Sequence, residues 1–147
     1  MEKPKVYLCV KDYTEDPGPR YKRQDKPDEE TSGEMFYIKK LNALFAECYQ
    51  NNSRLVILLD GVSGYPSSFL DEAIGELVYD FGLEVVESIL SFETVMFKRR
   101  AKQVVDETYL QWEKRRKNKE EVKHSVGINA TLMKLDDAGN LIEYTIQ

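Results

Sequence analysis

The segment from Arg54 to Gly82, RLVILLDGVSGYPSSFLDEAIGELVYDFG, leaves this chain few folds to choose from, because strand, turn and amphipathic helix follow one another there with almost no slack. Leu55, Val56, Ile57, Leu58 and Leu59 form an unbroken apolar run ahead of Asp60. That pattern predicts a central strand covered on both faces, since a strand with one wet face would alternate. From Ser67 onward, Phe69, Leu70, Ala73, Ile74, Leu77, Val78 and Phe81 recur at three- and four-residue spacing, which gives one helical face that must pack against something. Gly82 is placed to end that helix in the left-handed conformation. The turn GVSGYPSS offers Ser67 or Ser68 as the N-cap.

The remaining elements are read outward from this unit. Lys5–Val10, KVYLCV, has the β-branched and aromatic content of a first strand. Residues 11–30 hold three prolines and many charges and support no periodic element, so they form a long charged loop, either a solvated insertion or a strap folded over a site. Thr31 and Glu34 fit a capping box, with Thr31 as N-cap; that role accounts for Glu34 without a catalytic one. The helix that follows runs to about Asn51 and turns Phe36, Tyr37, Leu41, Leu44, Phe45 and Cys48 inward. A short helix over 83–89, a strand over 89–93 and a long basic helix over 94–118 come next, the last with Phe97, Ala101, Val104, Val105, Thr108 and Trp112 on its apolar face. Val126–Leu135 and Leu141–Ile146, joined by DDAGN, predict a C-terminal β-hairpin that needs a surface to pack on. The expected organisation is thus one α/β domain over 1–125, with a mixed, mostly parallel sheet and packed helices, and a hairpin extension over 126–147.

Composition narrows the chemistry. A chain of 147 residues can bury a core without staples, and Cys9 and Cys48 read as small buried residues, not as a bridge. No apolar segment reaches spanning length and MEKPK lacks a signal-peptide core, so a cytoplasmic location without a membrane contact is expected. The single histidine, His124, has no Cys or His partner at ligand spacing, and neither a Walker loop nor G-x-G-x-x-G is present; no metal, cofactor or catalytic triad is expected. Asp71, Glu72 and Glu76 suit the first turns of a helix for dipole reasons and are read as structural or surface charge. The net charge of −5 is uneven: residues 98–123 carry ten Lys and Arg against five Asp and Glu, which leaves −10 for the rest. The basic clusters, Arg99 and Arg100 among them, form either a solvated face or a contact surface for an acidic partner, a second copy of the chain included. Nucleic acid is disfavoured by the acidic remainder.

The pattern D-G-x-x-G-Y-x-S-S-F-L-D-E-A-x-G-x-L at Asp60–Leu77, with PGPR at Pro17–Arg20 and SGEMF at Ser32–Phe36, resembles the STAS-like proteins of unknown function over roughly residues 5–100. That family is similar in layout to the STAS domains of anti-sigma-factor antagonists, in which a serine at the start of the corresponding helix is phosphorylated by a partner kinase. Here Pro66 stands where those proteins usually have Asp, and Phe69 where they usually have Gly. The resemblance implies a non-enzymatic regulatory or interaction module with a protein partner, such as a kinase-like ATPase. Ser67 or Ser68 would be the control point; on the residues themselves, Arg20 becomes an anion ligand if the PGPR loop folds over the turn, and Tyr65 and Phe69 beside it are expected in a small aromatic partner surface. Helix N-termini favour anions in any case, because their amides are unpaired. Two other readings stay open: a small hydrolase or phosphate-binding enzyme using Arg20 and the Ser67–Ser68 turn, and a nucleic-acid contact through the basic helix.

Overall fold

In the computed structural model, which describes residues 2–147, the Leu55–Leu59 run becomes the middle strand of a three-stranded parallel sheet. Strand β1 (Lys5–Cys9) pairs with β2 (Arg54–Leu58), and β2 with β3 (Leu90–Glu93), in the order β1-β2-β3. Register sets Tyr7 against Val56 and Ser91, and Leu8 against Ile57 and Phe92. Right-handed crossovers that advance in one direction put their helices on one side of a sheet. The main apolar cluster agrees: Leu55, Ile57 and Leu90 belong to it and Val6, Leu8 and Phe92 pack against it, while Val56 on the opposite face is buried but lies outside it. The helices therefore cover one face of β2, not the two that its apolar run predicts.

Between β1 and β2 the chain forms α1 (Gly33–Phe36), a π-helical turn (Tyr37–Leu41) and α2 (Asn42–Gln50) as one continuous rod. Its cap lies one residue later than the capping box predicts. Ser32 Oγ accepts from the Met35 amide, whereas the Thr31 hydroxyl donates to Asp25 and Glu34 points elsewhere. Gly33 is required by a close approach, since a Cβ there would lie 2.2 Å from the Phe69 carbonyl oxygen.

Helix α3 (Ser67–Phe81) begins after Pro66, and neither serine caps it; Gly82 ends it at φ +86°. Ser67 and Ser68 occupy its first turn, so the cap expected from either hydroxyl is absent. The helix is surrounded by α1, by α4 (Leu83–Ile89), by α6 (Tyr109–Lys117) and by β4 (Ala130–Leu135). At Gly75 the Trp112 ring of α6 lies where a side chain would otherwise stand.

The predicted basic helix is shorter at its start, running as α5 (Lys98–Gln103), a π-helical turn (Val104–Thr108) and α6. Thr94 and the residues after it cap Asp60 instead: Thr94 Oγ1 and the Val95 and Met96 amides all donate to its carboxylate. The wide π turn changes the helical period. Inward positions become Val104, Thr108, Tyr109 and Trp112, and Val105 turns outward. Strand β4 pairs antiparallel with β5 (Leu141–Ile146), and the Asp136–Asn140 turn uses Gly139 at φ +84°. Residues 126–129 lie outside the strand, and Val126 is exposed. The hairpin finds its surface on the helices, where Leu132 and Ile146 join the core. Asn42 fixes it by donating to the Met133 carbonyl and accepting from the Met133 amide, each at 2.9 Å. Both cysteines are free, Cys48 buried and Cys9 half-buried.

Candidate functional site

The first turn of α3 opens on a cavity of about 200 Å³ whose walls include Ser67, Arg20, Arg100, Asp71 and Thr108. Arg20 reaches it because residues 17–34 fold back along α1: Gly18 donates to the Thr31 carbonyl, Gly33 to that of Pro19 and Glu34 to that of Arg20. The charged loop is therefore a strap over α3 in its second half, with Pro17 buried. The Arg20 guanidinium bridges Asp71 Oδ2 at 2.8 Å and Glu72 Oε1 at 3.1 Å. Asp71 also accepts from the Thr108 hydroxyl at 2.8 Å, which ties the same turn to the basic helix. Arg100 donates to Gln103 and is half-exposed.

Three of the sequence-predicted residues, Ser67, Arg20 and Arg100, thus share one cavity. Ser68 is half-buried beside it, and Arg99 is exposed outside it. Tyr65 and Phe69 do not form a surface. Phe69 is fully buried against Phe36, with ring centroids 5.6 Å apart, and Tyr65 is buried with its hydroxyl on the Leu59 carbonyl. Their aromatic area is spent in the core, where burial gains most, so an aromatic partner patch at this turn is corrected. The Ser67 hydroxyl is exposed, and among the described residues neither serine is hydrogen-bonded to a histidine or a carboxylate that could activate it.

A second cluster was not legible in the sequence. Glu72, Glu76 and Asp80 recur every fourth residue and so share one face of α3, a pattern that ordinarily marks a solvated stripe. Here all three are buried. The strap covers Glu72 with Arg20; the segment before the hairpin covers Glu76 with His124, whose Nε2 lies 2.6 Å from Glu76 Oε1; and β5 covers Asp80 with Tyr144. Asp80 Oδ2 accepts from the Tyr37 hydroxyl at 2.5 Å and the Tyr144 hydroxyl at 2.6 Å. Glu34 joins from α1, accepting from the Lys22 amide at 2.9 Å, the Ser125 amide at 3.0 Å and the Ser125 hydroxyl at 2.7 Å. Capping-box logic placed Glu34 on its own helix; instead it clamps strap and C-terminal segment together.

Burial dominates the electrostatics of this seam. It raises the Glu72 carboxyl and pushes Glu76 far above the usual carboxylate range, with the neighbouring Glu72 charge acting in the same direction. Glu76 Oε2 is buried without a hydrogen-bond partner among the described residues. Burial also lowers the His124 imidazole, whose Nε2 shares a hydrogen bond with Glu76 Oε1. Asp80 is raised by burial to about 6, with the two tyrosine hydroxyls opposing the rise. The outcome is two polar pairs stacked along α3, Arg20 on Glu72 and, one turn on, His124 on Glu76. Beyond them a cavity of about 740 Å³ is lined by His124, Asp80, Lys134 and Tyr144. Among the described residues His124 bonds to Glu76 and to no hydroxyl or thiol, and no group of three or more His, Cys, Asp and Glu side chains is arranged to hold a metal ion. No helix among them is long and apolar enough to cross a membrane.

Residues 32–95 match the model of a family described as a STAS-like domain of unknown function. The match runs from the Ser32 cap through β3 and includes Ser67, Glu72, Glu76 and Asp80; Arg20, Arg100, His124 and the hairpin lie outside it. No curated protein and no solved structure matches the chain.

Proposed function

Starting from that STAS-like segment, we propose that the chain is a non-enzymatic interaction module switched by negative charge at Ser67, placed there by a partner kinase. One observation carries this reading: the Ser67 hydroxyl is exposed in the first turn of a fifteen-residue helix and shares its cavity with Arg20 and Arg100. A phosphate there adds close to two negative charges beside the positive end of the helix dipole and within the field of both guanidinium groups. It competes for Arg20, the cation that neutralises buried Glu72. A buried carboxylate losing its partner is strongly disfavoured, so the strap over α3 loosens as the phosphate gains Arg20. The signal read by a partner is then the strap together with the exposed basic turn at Arg99 and Arg100. The partner's complementary surface is acidic.

Hydrogen exchange tests this without a partner in hand. Ser67→Asp should speed exchange of the strap amides over 17–24 relative to Ser67→Ala, while Ser68→Asp, at the half-buried position, should lower stability without that local pattern. Identical strap protection in the Ser67→Asp and Ser67→Ala variants, together with no phosphate on Ser67 in protein isolated from its own cells, would remove the proposal.

A further inference from the structure

A parallel sheet is rarely left with one face bare, because its crossovers normally place helices on both sides and its strands are correspondingly apolar throughout. Here the helices pack on one side, against Leu55, Ile57 and Leu90. The opposite face presents Tyr7, Val56 and Ser91 in one row and Cys9, Leu58 and Glu93 in the next; Tyr7 is 51% exposed, while Val56 in the middle strand is buried. None of the apolar members of these rows belongs to the main apolar cluster or packs against it, although Val56 is itself buried. Just past β3, Val95 and Met96 are exposed as well.

Charge along this face is polarised. At the end where the strands begin lies a shallow depression walled by Lys3, Lys5 and Arg54 against a single acid, Glu2. At the other end a second depression is walled by Asp60 and Glu93 against a single base, Lys11. An apolar centre with a basic end and an acidic end is self-complementary under a two-fold rotation that reverses the strand direction. We propose that this face packs on the same face of a second copy of the chain, about a two-fold axis along the Tyr7–Val56–Ser91 row. In that arrangement Arg54 of each copy comes over the acidic end of the other, beside Glu93, and Tyr7 meets its own equivalent at the axis. The apolar run of β2 then has the two covered faces that its sequence calls for.

The contact is small. Three short strands span roughly 14 by 17 Å, on the order of 250 Å² before the flanking segments are added, well under the ~800 Å² a side of a standard interface. Association is therefore weak, and its charge pairs make it salt-sensitive. Sedimentation equilibrium from micromolar to about 1 mM chain at low ionic strength should show the mass rising from 17.1 kDa toward twice that value, and raising the salt should reverse it. Arg54→Glu and Glu93→Arg should each weaken the dimer by about tenfold, since symmetry turns two attractive pairs into two repulsive ones. The double variant, which restores opposite charges at both ends, should recover it. Tyr7→Asp should abolish it with an unchanged circular dichroism spectrum. A mass that stays at 17.1 kDa throughout, as it would if another polypeptide covered this face, overturns the proposal. So does a dimer that survives Tyr7→Asp or is not recovered by the double charge reversal.

Discussion

Gly75→Ala is the sharpest test of how α3 is held. An added Cβ would sit 2.1 Å from Trp112 Cε2, 2.2 Å from Nε1 and 2.4 Å from Cδ2, where ordinary contact needs 3.4 Å or more. The ring must therefore retreat by at least about 1 Å. It has little room to do so, because Trp112 is 3% exposed, carries the Arg115 guanidinium 4.1 Å above its ring and sits against Asp71. Overpacking of this kind costs about 1–3 kcal/mol, and the severity of the overlap places it at the upper end. Alanine in mid-helix recovers about 1 kcal/mol over glycine, so the net loss is about 2 kcal/mol. For a domain of this size that is about 4–8 °C in Tm. Urea unfolding followed by Trp112 fluorescence should show a lower midpoint at unchanged slope. In a Trp112→Ala background, itself costing about 3–5 kcal/mol, the same substitution should become neutral or stabilising by up to about 1 kcal/mol. If Gly75→Ala stabilises the wild-type chain, as it would on an open helix surface, the account of the α3–α6 contact is wrong.

Three further outcomes follow from the buried polar contacts. Because Asp80 is raised to about 6, its native state holds a proton that the unfolded chain releases near pH 4; stability from this group is highest below about pH 4 and declines by roughly 3 kcal/mol as pH rises to about 6. Asp80→Asn should make the Tm profile shallower across that window, whereas the same-signed fall from the raised Glu72 and Glu76 and the contribution of His124, lowered by burial and so destabilising as pH falls below about 6.5, should persist in the variant. Ser32→Ala should cost about 1–2 kcal/mol by chemical denaturation and more than Thr31→Ala; the reverse order would return the cap to Thr31. Asn42→Ala removes both hydrogen bonds to Met133 and should cost about 2–3 kcal/mol, with accelerated exchange of the Met133 amide marking release of the hairpin.

The elements and their order are legible in the amino-acid sequence because each rests on local physics. The apolar run of β2, the three- and four-residue spacing of α3, Gly82 at its end and Gly139 in the hairpin turn all act within a few residues, and each appears where the spacing puts it. At helix starts the same reasoning slipped by a residue: Thr31 and Ser32 are equally good caps in isolation, and the choice fell to Asp25, which takes the Thr31 hydroxyl. Of the candidate site, the serine turn and Arg20 could be read from a motif, but their spacing could not reveal that Arg20 is already held by Asp71 and Glu72. Phe69 looked equally fit for a surface or a core, and only the approach of Gly33 and Phe36 decided it. The acidic seam shows the limit most clearly. Glu72, Glu76 and Asp80 have the spacing of a solvated stripe, and what buries them comes from positions 52, 48 and 64 residues away in the chain. Periodicity reports which residues share a face. Whether that face meets water is set by which distant segments fold over it, and that is a property of the tertiary structure alone.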